Sequence, residues 1–222
     1  MRKLTLAVAL CLSLSLSASK ESDRILNAAD VLKEIMAAPD KGIPGDVMGR
    51  AACIAVIPSL KKLAIGFGGE NGKGIVACRN RDGAWGPPSM LSITGGSFGL
   101  QLGAQSIDLV MVIMNRKGID FLTRDKFEVG GDASAAAGPV GRDAQAGTNA
   151  TADAEIYTYS RAKGLFAGIS LKGAVVKPDV DGNAVIYGKH VDPRELLKDG
   201  KEAPPAAAAP FMKELHKYAP KK

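Results

Sequence analysis

Residues 52–78 read Ala-Cys-Ile-Ala-Val-Ile-Pro-Ser-Leu-Lys-Lys-Leu-Ala-Ile-Gly-Phe-Gly-Gly-Glu-Asn-Gly-Lys-Gly-Ile-Val-Ala-Cys. The stretch opens on an apolar run, residues 52–57, closed by Pro58, which predicts a strand. Leu63, Ile65 and Phe67 then alternate with Ala64, Gly66 and Gly68, the period of two that a strand requires. Glu70-Asn71-Gly72 predicts a tight turn, because Asn-Gly accepts the positive φ angles of a two-residue hairpin. Residues 74–78 return as a second strand. Two strands closed by a turn, with glycine on alternate positions, point to a β-rich fold built from local antiparallel pairs.

Downstream the same signals repeat. Arg81-Asp82-Gly83 turns the chain before Trp85, and Leu91 and Ile93 mark a further strand broken by Gly95-Gly96. Phe98, Leu100 and Leu102 alternate with Gly99, Gln101 and Gly103. Residues 107–114 are almost continuously apolar, as expected of a central strand covered on both faces. Residues 118–124 suggest a short helical turn. Residues 130–152 are rich in Gly, Ala, Asp and Ser. Long bare loops are uncommon in compact domains, so this segment is expected to pack on the sheet. Strand signals return at 155–161, 165–176 and 184–188, with Asp181-Gly182-Asn183 as the turn between the last two. Residues 193–199 and 211–218 look helical, joined by a Pro/Ala linker at 204–210. Upstream, Ile25, Leu26, Ala29, Leu32, Ile35 and Met36 recur at helical spacing, predicting an amphipathic helix over 22–38 capped by Ser22. The fold class is α+β: a twisted, mostly antiparallel sheet with helices at the N- and C-terminal ends.

The first 19 residues have the layout of a secretory signal peptide. Arg2 and Lys3 precede an apolar stretch, and Ser17-Ala18-Ser19 offers small residues for cleavage. The apolar run, about 13 residues, is shorter than the ~20 needed to span a bilayer. Cys11 is poorly placed for a lipoprotein anchor, since bulky Leu10 precedes it. The expected organisation is a signal peptide at 1–19 and one domain at 20–222, with 204–222 as linker and tail helix. Loss of residues 1–19 removes two basic residues and no acidic ones, taking the net charge from +6 to +4. That balance suits an anionic membrane better than a nucleic acid, which usually meets a denser basic stripe. An exported chain is expected in the periplasm or cell envelope. Cys53 and Cys78 remain, and export permits a disulfide between them, although two cysteines do not make a disulfide scaffold.

Three matches to catalytic or ligand motifs fail on context. Residues 66–74 look like a phosphate loop, but Gly74 stands where Ser or Thr should follow Lys73, and a strand follows rather than a helix. Gly95-Gly96-Ser97-Phe98-Gly99 fits G-x-S-x-G, but its continuation alternates as a strand does, and only His190 and His216 could act as base. Asp179-Val180-Asp181-Gly182-Asn183 starts like a calcium loop, but Ala184 and His190 occupy its required Gly and Glu positions. No catalysis, metal or cofactor is expected.

Two binding candidates remain. Lys61, Lys62, Lys73, Arg79 and Arg81 cluster around the two turns, with Trp85 nearby. Lysine and arginine pair with lipid phosphates and tryptophan favours the interfacial layer; the same residues also fit a solvated polar face. The helix over 22–38 is the second candidate, with Ile25, Leu26, Leu32, Lys33 and Ile35 as its membrane-facing set. Its other face carries charges of both signs, which also fits a helix docked on the core.

These segments resemble the SYLF lipid-binding family. The resemblance runs through residues 54–62, Gly66-Phe-Gly-Gly, Gly72-Lys-Gly, Cys78-Arg79, Trp85 with Pro87-Pro88, and Thr94-Gly-Gly-Ser-Phe-Gly. It continues through Gln105-Ser-Ile-Asp, Met114-Asn-Arg, Asp132-Ala-Ser, residues 137–143, Tyr159-Ser-Arg161, residues 164–171 and Tyr187-Gly188. It implies non-enzymatic phospholipid binding, with phosphoinositide-type headgroups and, for some members, actin. For an exported chain the expected partner is an anionic phospholipid of an envelope membrane, with an envelope protein as a second partner class and actin an unexpected one. The rival readings are an envelope structural or interaction protein, and a carrier enclosing one lipid.

Overall fold

A computed structural model describes residues 2–38, 42–65, 67–98, 103–139, 154–162, 165–168 and 171–221. A long helix, α1 (Arg2–Ala37), and a short one, α2 (Gly45–Arg50), lead into four long strands: β1 (Cys53–Ile65), β2 (Phe67–Cys78), β3 (Ser89–Phe98) and β4 (Gly103–Ile113). Then come α3 (Lys117–Leu122), β5 (Phe127–Glu128), β6 (Ala135–Ala137), β7 (Ile156–Ala162), β8 (Leu165–Gly168), β9 (Val175–Pro178) and α4 (Val180–Tyr187). A π-helical turn (Glu195–Asp199), a 3-10 turn (Ala206–Ala208) and α5 (Ala209–Tyr218) complete the described chain. The strands form one sheet in the order β5-β9-β3-β2-β1-β4-β7-β6, with β8 also on β7. Among the described strands every pairing is antiparallel except β6 with β7. No helix among the described residues is long and apolar enough to cross a membrane.

Both faces of the central strands are covered, which is why residues 52–57 are apolar without interruption. Ile54, Val56, Ile75, Ala77, Val110 and Val112 face a layer made by α1, α2 and α5. Their neighbours Cys53, Ala55, Ile57, Val76, Leu109 and Met111 face a second layer with α3, β5 and the π-turn. Ile25, Leu32 and Ile35 of α1 are completely buried in the first layer, beside Phe211 and Leu215 of α5. The terminal helices therefore lie side by side on one face. Cys53 and Cys78 are register partners across β1 and β2 and are joined by a disulfide.

Several sequence expectations are corrected by longer-range geometry. Glu70-Asn71-Gly72 does not turn: it lies inside β2, with Asn71 opposite both Lys61 and Thr94. The chain reverses between Ile65 and Phe67 instead. Pro58 does not end β1. It sits in a bulge where the pairing with β4 shifts between Ile57 and Leu60, a place where a missing N–H breaks no ladder. Ser59 takes a positive φ of 54° there, and its N–H donates to Asp108 Oδ1. Gly95-Gly96 does not break β3, which is continuous through both residues. The segment expected as one strand over 165–176 is two, β8 and β9. The turn at 181–183 and the strand at 184–188 are replaced by α4, because Asp179 caps it through Gly182 N–H and Asn183 fastens it to β3 by accepting from Met90 N–H. Ser22 is not a cap, since α1 runs through it. The segment 129–138 packs on the sheet as expected, with β6 along β7; residues 140–153, 99–102 and Gly66 lie outside the described residues.

Candidate functional site

The expected basic cluster separates into two groups at opposite ends of the sheet. From Cys53 to Lys62 is nine residues of strand, about 30 Å at ~3.3 Å per residue. Arg79, Arg81 and Trp85 stand at the Cys53–Cys78 end. Lys61 and Lys62 stand beyond the bulge, near the β1–β2 reversal.

At the first end, Arg79 and Trp85 are buried, each only 6% exposed. The Arg79 guanidinium donates to the carbonyls of Ala51 (3.1 Å), Gly83 (2.8 Å) and Ala219 (2.8 Å), and it lies 4.3 Å from the Trp85 ring centroid. Trp85 Nε1–H also donates to Ala219 O at 2.8 Å. Burial pulls the Arg79 pKa below the ordinary guanidinium value, while the three carbonyls satisfy its donors. This pair ties the end of α5 to the β2–β3 connection and offers nothing to a membrane surface. Arg81 is exposed at the rim of an open cleft of about 620 Å³, lined also by Asn80, Asp82, Lys198, Asp199 and Lys201. Asp82 in that cleft is held below the usual carboxylate range, first by the Ala84 N–H and then by Lys221. The cleft is polar, unlike the apolar pocket that a lipid carrier would need.

The other end is different in kind. Among the described residues, β9 pairs with β3 as far as Thr94, and β7 pairs with β4 from Asp108 onward. Among the described residues, 61–65, 67–71, 95–98 and 103–106 therefore extend past these partners as a four-stranded tongue. Lys61 and Lys62 lie on opposite faces of it, as neighbours on a strand must. Lys61 is exposed; Lys62 is half-buried and pairs with Glu70 at 2.9 Å. Leu63, next along, is 59% exposed. Asn71, Ala104, Gln105 and Ser106 around it are exposed too. Lys73 is on the face of α1 and is engaged at 2.7 Å by Asp179, the cap of α4.

In α1, the candidate membrane set divides by burial. Ile25, Leu32 and Ile35 are core residues, whereas Leu26 (48% exposed) and Lys33 face outward. Glu34 pairs with Arg161 of β7, fixing the helix to the sheet. Sequence reasoning missed Leu63 as a surface residue, because its alternation with Ile65 reads as core. Arg161 and Asp108 were missed as well: Arg161 donates twice to Asp108 Oδ2, at 2.9 and 2.6 Å, which in turn holds the Ser59 bulge. Among the described residues no group of His, Cys, Asp and Glu could hold a metal. Ser97 lies in β3, opposite Gly68.

Comparison with known proteins gives a consistent family. Residues 94–218, more than half of the chain, match the family model described as Ysc84, Las17-binding protein actin regulator. LAS seventeen-binding protein 3 of Saccharomyces cerevisiae is 32% identical over 206 residues, covering 91% of this chain and 44% of that protein. Protein YSC84 of the same yeast is 30% identical over 206 residues, covering 91% and 43%. SH3 domain-containing YSC84-like protein 1 of Homo sapiens is 30% identical over 200 residues, covering 87% and 58%. The chain spans about half the length of the curated relatives it matches. The family is described by Las17 binding and actin regulation, which bears against treating actin-linked partners as unexpected. The chain belongs to the Ysc84 family, the family of the SYLF domain.

Proposed function

We propose that this protein is a non-enzymatic, peripheral binder of anionic phospholipid at an envelope membrane, and that the sheet's tongue is its membrane contact. The observation that carries this reading is Leu63, 59% exposed beside Lys61 and Lys62 at the projecting end of a sheet whose central strands are covered on both faces. A projecting apolar side chain flanked by lysines suits the headgroup boundary: the lysines meet phosphates and the leucine enters the acyl edge. Each basic residue near an anionic surface contributes about 1 kcal/mol, and Lys62 must first leave Glu70, so the tongue's affinity is weak and several copies or added apolar insertion would raise it. The leader-like residues 1–19 support export. Liposome sedimentation tests the proposal. Anionic vesicles should carry the protein down and neutral ones should not, and Lys61→Glu with Lys62→Glu should cut binding several-fold. Unchanged binding by that double variant rejects the tongue.

A second reading is favoured by the relatives' names. A family whose members are described as Las17-binding actin regulators suggests a protein partner for this chain as well. Co-sedimentation with filamentous actin, with and without anionic vesicles, separates the two readings.

A further inference from the structure

The disulfide stands on the terminal rung of the β1–β2 ladder, where Cys53 faces Cys78. Ladder ends are where paired strands fray. The chain just beyond this rung is what holds the C-terminal helix. Ala51, two residues before Cys53, accepts from Arg79 Nε, one residue after Cys78, at 3.1 Å. The same guanidinium and Trp85 Nε1–H hold Ala219 O, the carbonyl that follows α5. Among the described residues, the one further hydrogen bond or ion pair from 209–221 to the rest of the chain is the exposed pair Lys221–Asp82. α5 is otherwise lightly secured. It has ten residues, short of the roughly 12–15 that an isolated helix needs in water. It docks through Phe211, Met212 and Leu215, after a run of proline and alanine at 203–208. Docking also leaves Glu214 Oε2 buried without a hydrogen-bond partner among the described residues, which opposes the closed arrangement.

We infer that α5 is a redox-sensitive strap, closed by the Cys53–Cys78 disulfide and loosened by its reduction. The disulfide keeps Ala51 and Arg79 in register, and Arg79 placed in this way holds Ala219. An external dithiol supplies the two electrons and two protons that break the S–S bond. Two cysteine thiols result, and the dithiol leaves as its own disulfide. The ladder from Ile54–Ala77 onward and the pairing of β1 with β4 still join the strands. The end beyond Cys53 and Cys78 is then free to fray, and the effect falls on the strap rather than on the sheet. A loosened α5 bares Phe211, Met212 and Leu215 along one side, with the exposed Lys213, His216 and Lys217 on the other. An oxidising compartment therefore closes the strap and a reducing one opens it. Both sulfurs are buried, so a reductant reaches them when this end opens. The coupling is reciprocal: whatever frees Ala219 from Arg79 makes the disulfide easier to reduce by the same factor.

The test uses the full chain carrying Cys11→Ser, in solution without lipid. Three forms are compared: the disulfide form, the dithiol form after removal of the reductant, and the variant with Cys53→Ser and Cys78→Ser. Trypsin is added under native conditions from 0 to about 1 M urea, and cleavage after Lys213 and Lys217 is followed by mass spectrometry. The dithiol form and the serine variant should be cut at those sites at least tenfold faster than the disulfide form. The rate should barely rise with urea, because opening the strap exposes far less surface than unfolding the sheet. Arg79→Lys in the disulfide form should also speed cutting, and reduction of that variant should then add less than threefold. Equal rates in the disulfide and dithiol forms overturn the inference. So does cutting whose urea dependence matches that of global unfolding, or effects of reduction and Arg79→Lys that multiply in full. Because no vesicle is present, these outcomes are separate from those of the membrane proposal.

Discussion

At residue scale, the decisive positions are those where a side chain's company overrules its type. Arg79 and Trp85 have the composition of a membrane anchor, yet both donate to Ala219 O from buried positions. Arg79→Ala takes the guanidinium from Ala51 O and Gly83 O, leaves Ala219 O to Trp85 alone and removes a ring contact; unsatisfied buried groups cost about 1–3 kcal/mol each. Chemical denaturation should therefore show a loss of at least ~2 kcal/mol, and Arg79→Lys should recover only part of it because an ammonium lacks the guanidinium's fork. Gly74 is a steric case. A Cβ there would stand 2.1 Å from Val56 O, so Gly74→Ala must displace backbone of β1 beside the bulge. The expected result is a chain that fails to give a cooperative unfolding transition, whereas Gly69→Ala, with its nearest neighbour at 3.8 Å, should fold normally. Residue types were readable in the sequence. Burial of Arg79 was not, because its partners Ala51, Gly83 and Ala219 come from three separated segments.

Elements were legible where local pattern and tertiary demand agree. The stripe through Ile25, Leu32 and Ile35 gave α1, and the continuous apolar run at 107–114 gave β4 as a strand covered on both sides. They were illegible where a local signal was outvoted. Asn71-Gly72 has strong turn chemistry, but the register of β1, β2 and β3 holds both residues extended. Asp181-Gly182-Asn183 also reads as a turn, but Asp179 and Asn183 use their side chains to start a helix and pin it to β3. The two faces of α1 give a direct test. Leu32 is fully buried, so Leu32→Asp places a carboxylate in the core and should cost at least about 4 kcal/mol or prevent folding. Leu26 is half exposed, and Leu26→Asp should change stability by no more than about 0.5 kcal/mol. If the two variants unfold alike, α1 is not docked in solution. The cross-strand disulfide closes a loop of 25 residues between β1 and β2. Replacing Cys53 and Cys78 together by serine should lower stability by roughly 3 kcal/mol, measured against the oxidised parent.

At the scale of the whole molecule, the sheet's length separates two basic groups that the sequence places within 21 residues of each other, and this yields an orientation on the membrane. If the tongue meets the bilayer, the Cys53–Cys78 end, with Arg81, the polar cleft and the tail of α5, stands about 30 Å away from it. Trp85 is the chain's single tryptophan and is buried at that far end, so it reports the geometry without engineering. Its emission should hold the same wavelength and intensity when anionic vesicles are added. Lipids brominated along their acyl chains should not quench it, since such quenching acts over contact distances. Trp85→Phe combined with Leu63→Trp moves the probe to the tongue. There the emission should shift to the blue on binding and be quenched by the brominated lipids. Raising salt from 0.1 to 1 M should reverse much of that signal, because the screening length falls from about 10 Å to about 3 Å and the contribution of Lys61 and Lys62 falls with it. The opposite pattern, Trp85 quenched and the Leu63→Trp probe silent, would put the far end on the bilayer. Arg81 with the cleft would then be the surface to examine for headgroup contact.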